Sequence, residues 1–379
     1  MKVLYTISSL AFSSGGPSQS TTLTLKGLWN KSVNAEIIAF DHREDDINVL
    51  ENEKTHFLPF VNGRFKYSTA YKLKLISLMK NMNIFHIQGV WQYPSYIAAK
   101  QARKLNKPYI ITPRGMLYPQ AVTSGSKILK QFFLKVHLMN DLQKAACIHA
   151  TCIEEMQHLR DLGVKSPIAV IPNPVDHTPY INTEIPLKPS FKIWYLGRLH
   201  SRKKVEVLIE AWAKLKDYNE NDELIIIGDG DPLYLDSLKK LVAEKKLNNI
   251  KFTGFLKGDE RDKVIQSLTF LAVPSDFENF GMIIAEALMM GVPVIASKGT
   301  PWEQLETYNC GYWIDNDIES FYKQFIQARK LSPREIQIMG INGKKLIEEH
   351  YTADAVSNKI LSMYTWILKH NSKPEFIFQ

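Results

Sequence analysis

Glu278 and Glu286 stand eight positions apart in PSDFENFGMIIAEALMMGVPVIAS, Pro274–Ser297. The apolar run Leu268–Val273 reads as a strand ending at Pro274, followed by a polar loop that carries Glu278 and by a helix beginning near Gly281. Open parallel sheets bind ligands just beyond the carboxyl ends of their strands. A helix N-terminus there offers unpaired N–H groups and a positive dipole end to phosphate or sugar oxygens. Glu278 would lie at the mouth of such a site. Glu286 lies inside the helix among Ile283, Ile284, Ala285, Ala287 and Leu288. A carboxylate there is costly unless it accepts hydrogen bonds. Paired ribose hydroxyls would supply them, and so would a buried lysine; spacing alone leaves both readings open.

Three other segments share this layout. In WYLGRLHSRKKVEVLIEAW, Trp194–Trp212, a strand runs into Gly197 and Arg198, then a basic loop with Lys203, then an amphipathic helix. Arginine suits bidentate phosphate recognition and lysine acts as a compact point charge, although a solvated basic loop has the same composition. In ELIIIGDGDP, Glu223–Pro232, Gly228 and Gly230 follow a strand as they do at nucleotide sites. Asp229 and Asp231 imitate the Asp-x-Asp of metal-dependent sugar transferases. Asp231-Pro232 reads instead as a helix start, so no metal ligands are assigned. In SSLAFSSGGPSQSTTLTL, Ser8–Leu25, Gly15 and Gly16 would let a ligand approach the backbone, and Pro17 suits a first helical position.

The elements that must position these residues are short apolar runs alternating with helical segments. Strands are expected at Val3–Ile7, Ala35–Ala39, Ile84–Ile87, Tyr109–Thr112, Cys147–Ala150 and Ile168–Ile171. A second series comprises Ile193–Leu196, Glu223–Ile227, Ile250–Thr253, Leu268–Val273 and Pro293–Ala296. Strand–helix alternation implies parallel sheets covered on both faces, an α/β architecture. The proline-rich stretch 172–190 reads as a linker. The expected domains are residues 1–183 and 190–355, with 356–379 returning to the first.

The chain of 379 residues is 45% hydrophobic and 23% charged, which excludes disordered, collagen-like and coiled-coil classes. Three cysteines are too few for a disulfide framework and point to a reducing, cytoplasmic setting. Neither MKVLYTISSLAF nor Asn279–Ser297 passes as a targeting or membrane segment. Polar residues break the first; Glu286, Gly291 and Pro293 break the second. Residues 1–183 carry 21 Lys+Arg against 12 Asp+Glu, and the remainder 26 against 27. An anionic partner for the first half alone follows, unless the charge serves only solubility. Nucleic acid is the more distant candidate, since no helix-turn-helix, zinc-finger or RRM signature is present. An acidic membrane face is the other. Ser126–Asn140, SKILKQFFLKVHLMN, mixes lysines with large apolar residues. It reads either as an interfacial helix or as a core helix with a lysine edge.

Together the four segments make the chain resemble family-4 retaining glycosyltransferases with the GT-B fold, two Rossmann-like doubly wound domains facing a central cleft. Glu278 and Glu286 match the family's E-x7-E; Gly197-Arg198-Leu199 with Lys203 matches its G-R-L-x-x-x-K. The resemblance covers essentially the whole chain. It implies that Arg198 and Lys203 hold a donor diphosphate, and that Glu286 binds ribose. Glu278, with backbone groups of Asn279, Phe280 and Gly281, would hold the donor sugar. Phe255 and Leu256 would lie beside the base, and Gly16 would approach the phosphates. Lys204 and Pro174 depart from the pattern. Thr112-Pro113-Arg114-Gly115-Met116-Leu117 stands where many relatives carry His-Gly, a feature of the subset building bacterial surface polysaccharides. Arg114 would clamp an acceptor phosphate or carboxylate, and His86 is a further acceptor-side candidate.

The resulting expectation is a metal-independent, retaining glycosyltransferase without cofactor. It would move a sugar from a nucleotide diphosphate sugar to a hydroxyl of a glycan, lipid-linked acceptor included, in the cytoplasm or peripherally on the inner membrane face. A nucleotide-sugar epimerase or phosphorylase of the same fold is the rival.

Overall fold

The computed structural model describes the chain apart from residues 12–13, 41–52, 60, 124–126, 177–183, 189, 216–218, 220, 257 and 370, and the side chains at 123, 127, 259, 260 and 262. The expected helix start at Ser126, the middle of the linker and His370 lie outside the described residues. The chain divides into two compact units, Met1–Asp176 with Thr352–Gln379, and His177–Tyr351.

The first unit holds β1 (Lys2–Ser9), β2 (Asn34–Phe40), β3 (Thr55–Leu58), β4 (Ile84–Gln88), β5 (Tyr109–Thr112), β6 (Cys147–Ala150) and β7 (Ile168–Val170). The second holds β8 (Lys192–Leu196), β9 (Glu223–Ile227), β10 (Ile250–Gly254), β11 (Phe270–Val273), β12 (Val294–Ser297) and β13 (Gly311–Ile314). The tail supplies β14 (Ile377–Phe378), which returns to the first sheet. The sheet orders are β14-β7-β6-β5-β4-β1-β2-β3 and β10-β9-β8-β11-β12-β13. From its first strand each sheet grows one way and then the other, the 3-2-1-4-5-6 order of dinucleotide-binding folds. Among the described strands only β14 runs antiparallel, covering the edge of β7 with Ile377 opposite Ala169.

The strands are apolar because helices cover both faces. In β1 every residue after Lys2 is buried. Leu4, Phe85 and Ile87 point into one layer with Tyr71, Leu75 and Ile97 from helices Thr69–Met79 and Tyr93–Lys104. Val3, Tyr5 and Ile37 point into the other, with Leu25 and Leu28 of helix Gly16–Asn30 and Val356, Ile360 and Met363 of helix Ala353–Lys369. These two helices meet closely at Gly27, where a Cβ would stand 2.5 Å from the Ala353 carbonyl oxygen. The second unit's core gathers Ile193, Tyr195, Leu208, Trp212, Phe270 and Phe325.

Inside the first sheet lies a buried polar chain. The Tyr5 and Tyr364 hydroxyls are 2.6 Å apart, and Tyr364 Oη lies 2.7 Å from His86 Nδ1. His86 Nε2 lies 2.8 Å from Thr112 Oγ1, and His149 Nε2 lies 2.8 Å from the Ile171 carbonyl. Burial pulls His86 well below its ordinary pKa and His149 down to about 4. Both rings are therefore neutral in the folded protein.

Between pH 6.5 and about 4 the unfolded chain protonates His149 while the folded one does not. Its stabilising share is full above the unfolded value and declines as pH falls through this window, by about 2 kcal/mol at pH 5. Urea unfolding of the first unit at neutral pH and at pH 5 tests this. The drop should shrink in His149→Gln by roughly that amount; an equal drop in both proteins would exclude His149 as its source.

Candidate functional site

In the second unit the sheet reverses its order at β8, with β9 on one side and β11 on the other. The chain leaving β8 carries Gly197, Arg198 and the short 3-10 turn Ser201–Lys203; the chain leaving β11 carries Ser275 and Glu278. The structure brings these two loops together. Lys203 Nζ donates to Glu278 Oε1, which also accepts from Ser275 Oγ at 3.0 Å. The backbone joins them too, Asp276 N–H donating to the Arg202 carbonyl at 3.0 Å. Arg198 stands exposed at the end of β8, its carbonyl fixed by the Tyr195 hydroxyl at 3.1 Å. Burial, with Glu278 nearby, pushes that phenol far above its ordinary pKa and keeps it a donor.

Gly228 and Gly230 also meet a need that the sequence did not show. A Cβ at Gly228 would lie 2.0 Å from the Gly197 carbonyl oxygen, and one at Gly230 would lie 2.1 Å from that of Leu199. The loops after β8 and β9 zip together through Gly197 N–H to Ile227 O at 3.1 Å and Leu199 N–H to Asp229 O at 2.9 Å. Their glycines admit another backbone, which fixes where Arg198 emerges. Asp231 caps helix Pro232–Glu244 through Leu233 N–H at 3.0 Å, and Asp229 accepts from Gly230 N–H at 2.7 Å. Among the described residues no three His, Cys, Asp or Glu side chains gather as metal ligands.

Gly281 takes φ +78 and ends the loop ahead of helix Met282–Met289. This left-handed position suits glycine. Phe280 is buried between Trp302 and Tyr351, and its carbonyl accepts from the Trp302 indole. That anchors the loop holding Asn279 and Glu278. Glu286 lies a turn inside the helix, 3.2 Å from an Arg261 guanidinium nitrogen. The cation is an arginine, from helix Gly258–Gln266, which sequence reasoning missed because the polar segment 257–266 carries no motif. Phe255 follows β10 and is 68% exposed, with Leu256 half-buried beside it.

In the first unit Gly15 takes φ +70 with open space around its Cβ position, and Gly16 opens the helix after β1. His86 is not presented to a ligand. It is 1% exposed with both ring nitrogens occupied, so its acceptor-side reading gives way to a structural one. Arg114 is half-buried and engaged: its guanidinium donates to Gln88 Oε1 at 2.8 Å, Ser20 Oγ at 2.7 Å, Asn173 Oδ1 at 2.8 Å and Thr21 Oγ1 at 3.0 Å. Four of its five N–H groups are thereby used, which corrects the expectation of a free clamp. The apolar segment divides between the two readings: Leu134 and Leu138 are buried in the first unit's core, with Phe133 packed against it, while Ile128, Leu129, Phe132 and Val136 face outward. Ile128 is 85% exposed and Phe132 62%, on a helix Lys127–Phe133 that passes into a π turn, Leu134–Leu138.

The parallel sheets and the loops at their strand ends define a GT-B glycosyltransferase fold. The family described as Glycosyltransferase Family 4 matches residues 14–178, and Glycosyl transferases group 1 matches residues 182–359. The chain is a family 4-like glycosyltransferase. It is 27% identical over 324 residues to a glycosyltransferase of Methanocaldococcus jannaschii, across 83% of this chain and 85% of that one. It is 22% identical to the alpha-monoglucosyldiacylglycerol synthase of Streptococcus pneumoniae, across 84% of this chain and 77% of that one. Among solved structures, Anabaena Alr3699/HepE in complex with UDP superposes with TM-score 0.76 at 17% identity, covering 96% of this chain and 100% of that one.

Lys204 departs from the small residue expected after Lys203 and is held at φ +51 and ψ +38, ahead of helix Val205–Ala213. A left-handed backbone costs an L-residue roughly 1–2 kcal/mol. Its ion pairs with Glu206 and Asp276 are long, at 3.8 and 3.9 Å, and exposed, so they offset little. Lys204→Gly should raise the melting temperature of the second unit and Lys204→Val should lower it, as read by calorimetry. A fall with both would remove strain as the explanation.

Proposed function

We propose that the protein is a retaining glycosyltransferase. It transfers a sugar from a nucleotide diphosphate sugar, bound on the second unit, to a hydroxyl of a lipid-linked glycan bound on the first. The carrying observation is the loop pair beyond β8 and β11: Arg198 exposed, Lys203 aimed by Glu278, and Glu286 inside the adjoining helix. The UDP held by the Anabaena neighbour supports a nucleotide donor.

As the anomeric bond breaks, the leaving diphosphate gains charge, and Arg198, Lys203 and the N–H groups ahead of helix Met282–Met289 stabilise it. Lys203 spends one N–H on Glu278 and keeps the rest of its donors for phosphate. The backbone of Asn279, Phe280 and Gly281 and the Glu278 carboxylate hold the transferred sugar. Glu286 receives the ribose hydroxyls, with Arg261 compensating its charge, and Phe255 and Leu256 flank the base. The acceptor attacks from the face the diphosphate leaves, and the departing phosphate takes its proton, so configuration is retained. No metal is required.

The test is turnover with a panel of nucleotide sugars, in EDTA and without it, with product configuration read by NMR. Lys203→Ala should lose about 100-fold in kcat, the scale of one preorganised donor. Glu286→Gln should mainly raise the donor KM, because ribose contacts are the same in ground and transition states. Wild-type turnover in a folded Lys203→Ala variant, an inverted product, or loss of activity in EDTA restored by Mn²⁺ would each overturn its part.

The site of action is the cytoplasmic face of a membrane, in synthesis of a surface polysaccharide. No described helix is long and apolar enough to cross a membrane. The exposed Ile128, Leu129, Phe132 and Val136, beside Lys130 and Lys135, have the composition of an interfacial helix. The lipid in the pneumococcal relative's name, monoglucosyldiacylglycerol, supports the same placement. Sedimentation with anionic vesicles should exceed that with neutral ones and weaken with salt. It should fall in Leu129→Ser/Phe132→Ser. Equal sedimentation with both vesicle types would remove the electrostatic part.

A further inference from the structure

A cavity of about 280 Å³ opens in the second unit at the amino ends of β8, β9 and β11. The loops that carry Arg198 and Glu278 leave the opposite edge of the same sheet. Roughly 15 Å of strand separates the two edges. Lys188 and Ser190 line the cavity from the end of the proline-rich stretch. Asn219, Asn221 and Asp222 line it from the chain ahead of β9, and Arg329 from the end of helix Ile318–Arg329.

Burial runs against residue type at the end of that stretch. Leu187 is 58% exposed, and Lys188 beside it only 6%. A lysine is almost never so buried unless an acid pairs with it. The acids here are taken by other cations: Asp222 by Arg329 at 3.0 Å, and Glu223 by Lys192 and Lys251. The Lys188 ammonium donates to the Leu268 carbonyl and, among the described residues, to nothing else. Two of its three N–H groups are therefore left without a protein acceptor. Taking them out of water is a cost that the protein alone does not recover. Burial pulls the Lys188 pKa down to about 8, and the ammonium remains the main form at pH 7.

We infer that this cavity binds a small organic anion, with one carboxylate or phosphate ester group on the Lys188 ammonium and a short apolar body against Phe191, Leu331 and Ile336. The charges fit a single anionic group, since Arg329 and Asp222 cancel and Lys188 leaves one positive charge over. Further donors stand ready. The Ser190 hydroxyl and the Asn219 and Asn221 carboxamides line the same cavity and make no side-chain hydrogen bond among the described residues. An anion would receive charge-assisted bonds from the spare N–H groups, which a neutral molecule of the same shape would not. The site lies away from the loops beyond β8 and β11, so it stands whether or not those loops hold a nucleotide sugar.

Titration of the full chain at pH 7 and low salt, followed by fluorine NMR of the probe, tests the inference. The probes are 4-fluorobenzoate and its neutral counterpart 4-fluorobenzyl alcohol. The benzoate should bind about tenfold or more tighter than the alcohol. Displacing it with acetate and with methyl phosphate at equal concentration separates the two sources. Stronger displacement by acetate marks a carboxylate ligand, stronger displacement by methyl phosphate a phosphate ester, and equal displacement the shared chemistry. Lys188→Met keeps the length of the side chain and removes its charge, and there the preference for benzoate should fall to about twofold or less. Asn221→Asp, at an exposed position, adds a negative charge at the rim. It should weaken the benzoate about threefold and leave the alcohol unchanged. Equal affinity for both probes, displacement by neither anion, or a preference that survives Lys188→Met would overturn the inference. If Lys188→Met does not fold, Asn221→Asp decides, and an unchanged benzoate affinity in that variant would overturn it.

Discussion

A Cβ at residue 228 would stand 2.0 Å from the Gly197 carbonyl oxygen, and this close approach governs the candidate site. Parallel strands deliver their loops to one edge, but loops there are free to splay. Glycines at 228 and 230 let the chain after β9 lie against the chain after β8 and bond to it at Gly197 and Leu199. With that backbone pinned, Arg198 must leave at one place and the turn Ser201–Lys203 must point at the loop after β11. The Lys203–Glu278 pair is a consequence of the zip. Phe280, wedged against Trp302 and Tyr351, fixes the other side. Side chains that meet a ligand are thus held by groups that need never touch one.

Much of this was legible in the sequence, and the gaps have physical reasons. Eleven strands announce themselves as apolar runs because helices bury both faces of each sheet, and the β11 loop and its helix follow from Pro274 and Gly281. Strands β3 and β13 escaped because each is a short, largely half-buried sheet edge, and β14 because two residues carry no periodicity. At the site, the positions of Glu278, Lys203 and Arg198 were readable from strand-end logic. The role of Gly228 and Gly230 was not, because a glycine admitting a ligand and one admitting a neighbouring loop look alike in sequence. His86 misled for a related reason: a strand-end histidine gives no sign that Tyr364, 278 positions later, will reach its ring.

The same long-range blindness hid what Arg114 does. Its partners Ser20 and Thr21 lie far upstream and Asn173 far downstream, so the sequence showed a lone arginine in a Thr-Pro-Arg-Gly turn. The two hydroxyls are suited to receive it because one already donates to the Pro17 carbonyl at 2.7 Å, leaving its lone pairs outward. Neutral acceptors satisfy the donors of a half-buried guanidinium without cancelling its charge, a different outcome from a salt bridge.

The first unit carries an acid-free stretch of 87 residues, Lys54 to Asn140, and still pairs Arg103 within it with Asp141 just beyond it. The second unit pairs Lys203 with Glu278, Arg261 with Glu286 and Arg329 with Asp222. Under the proposed function, these pairs bear on catalysis. A diphosphate bound there would meet cations already partly neutralised, and would gain less at rest than from bare lysines. Charge that appears only as a bond breaks would find Arg198 and Lys203 in place, which would weight binding energy toward the transition state.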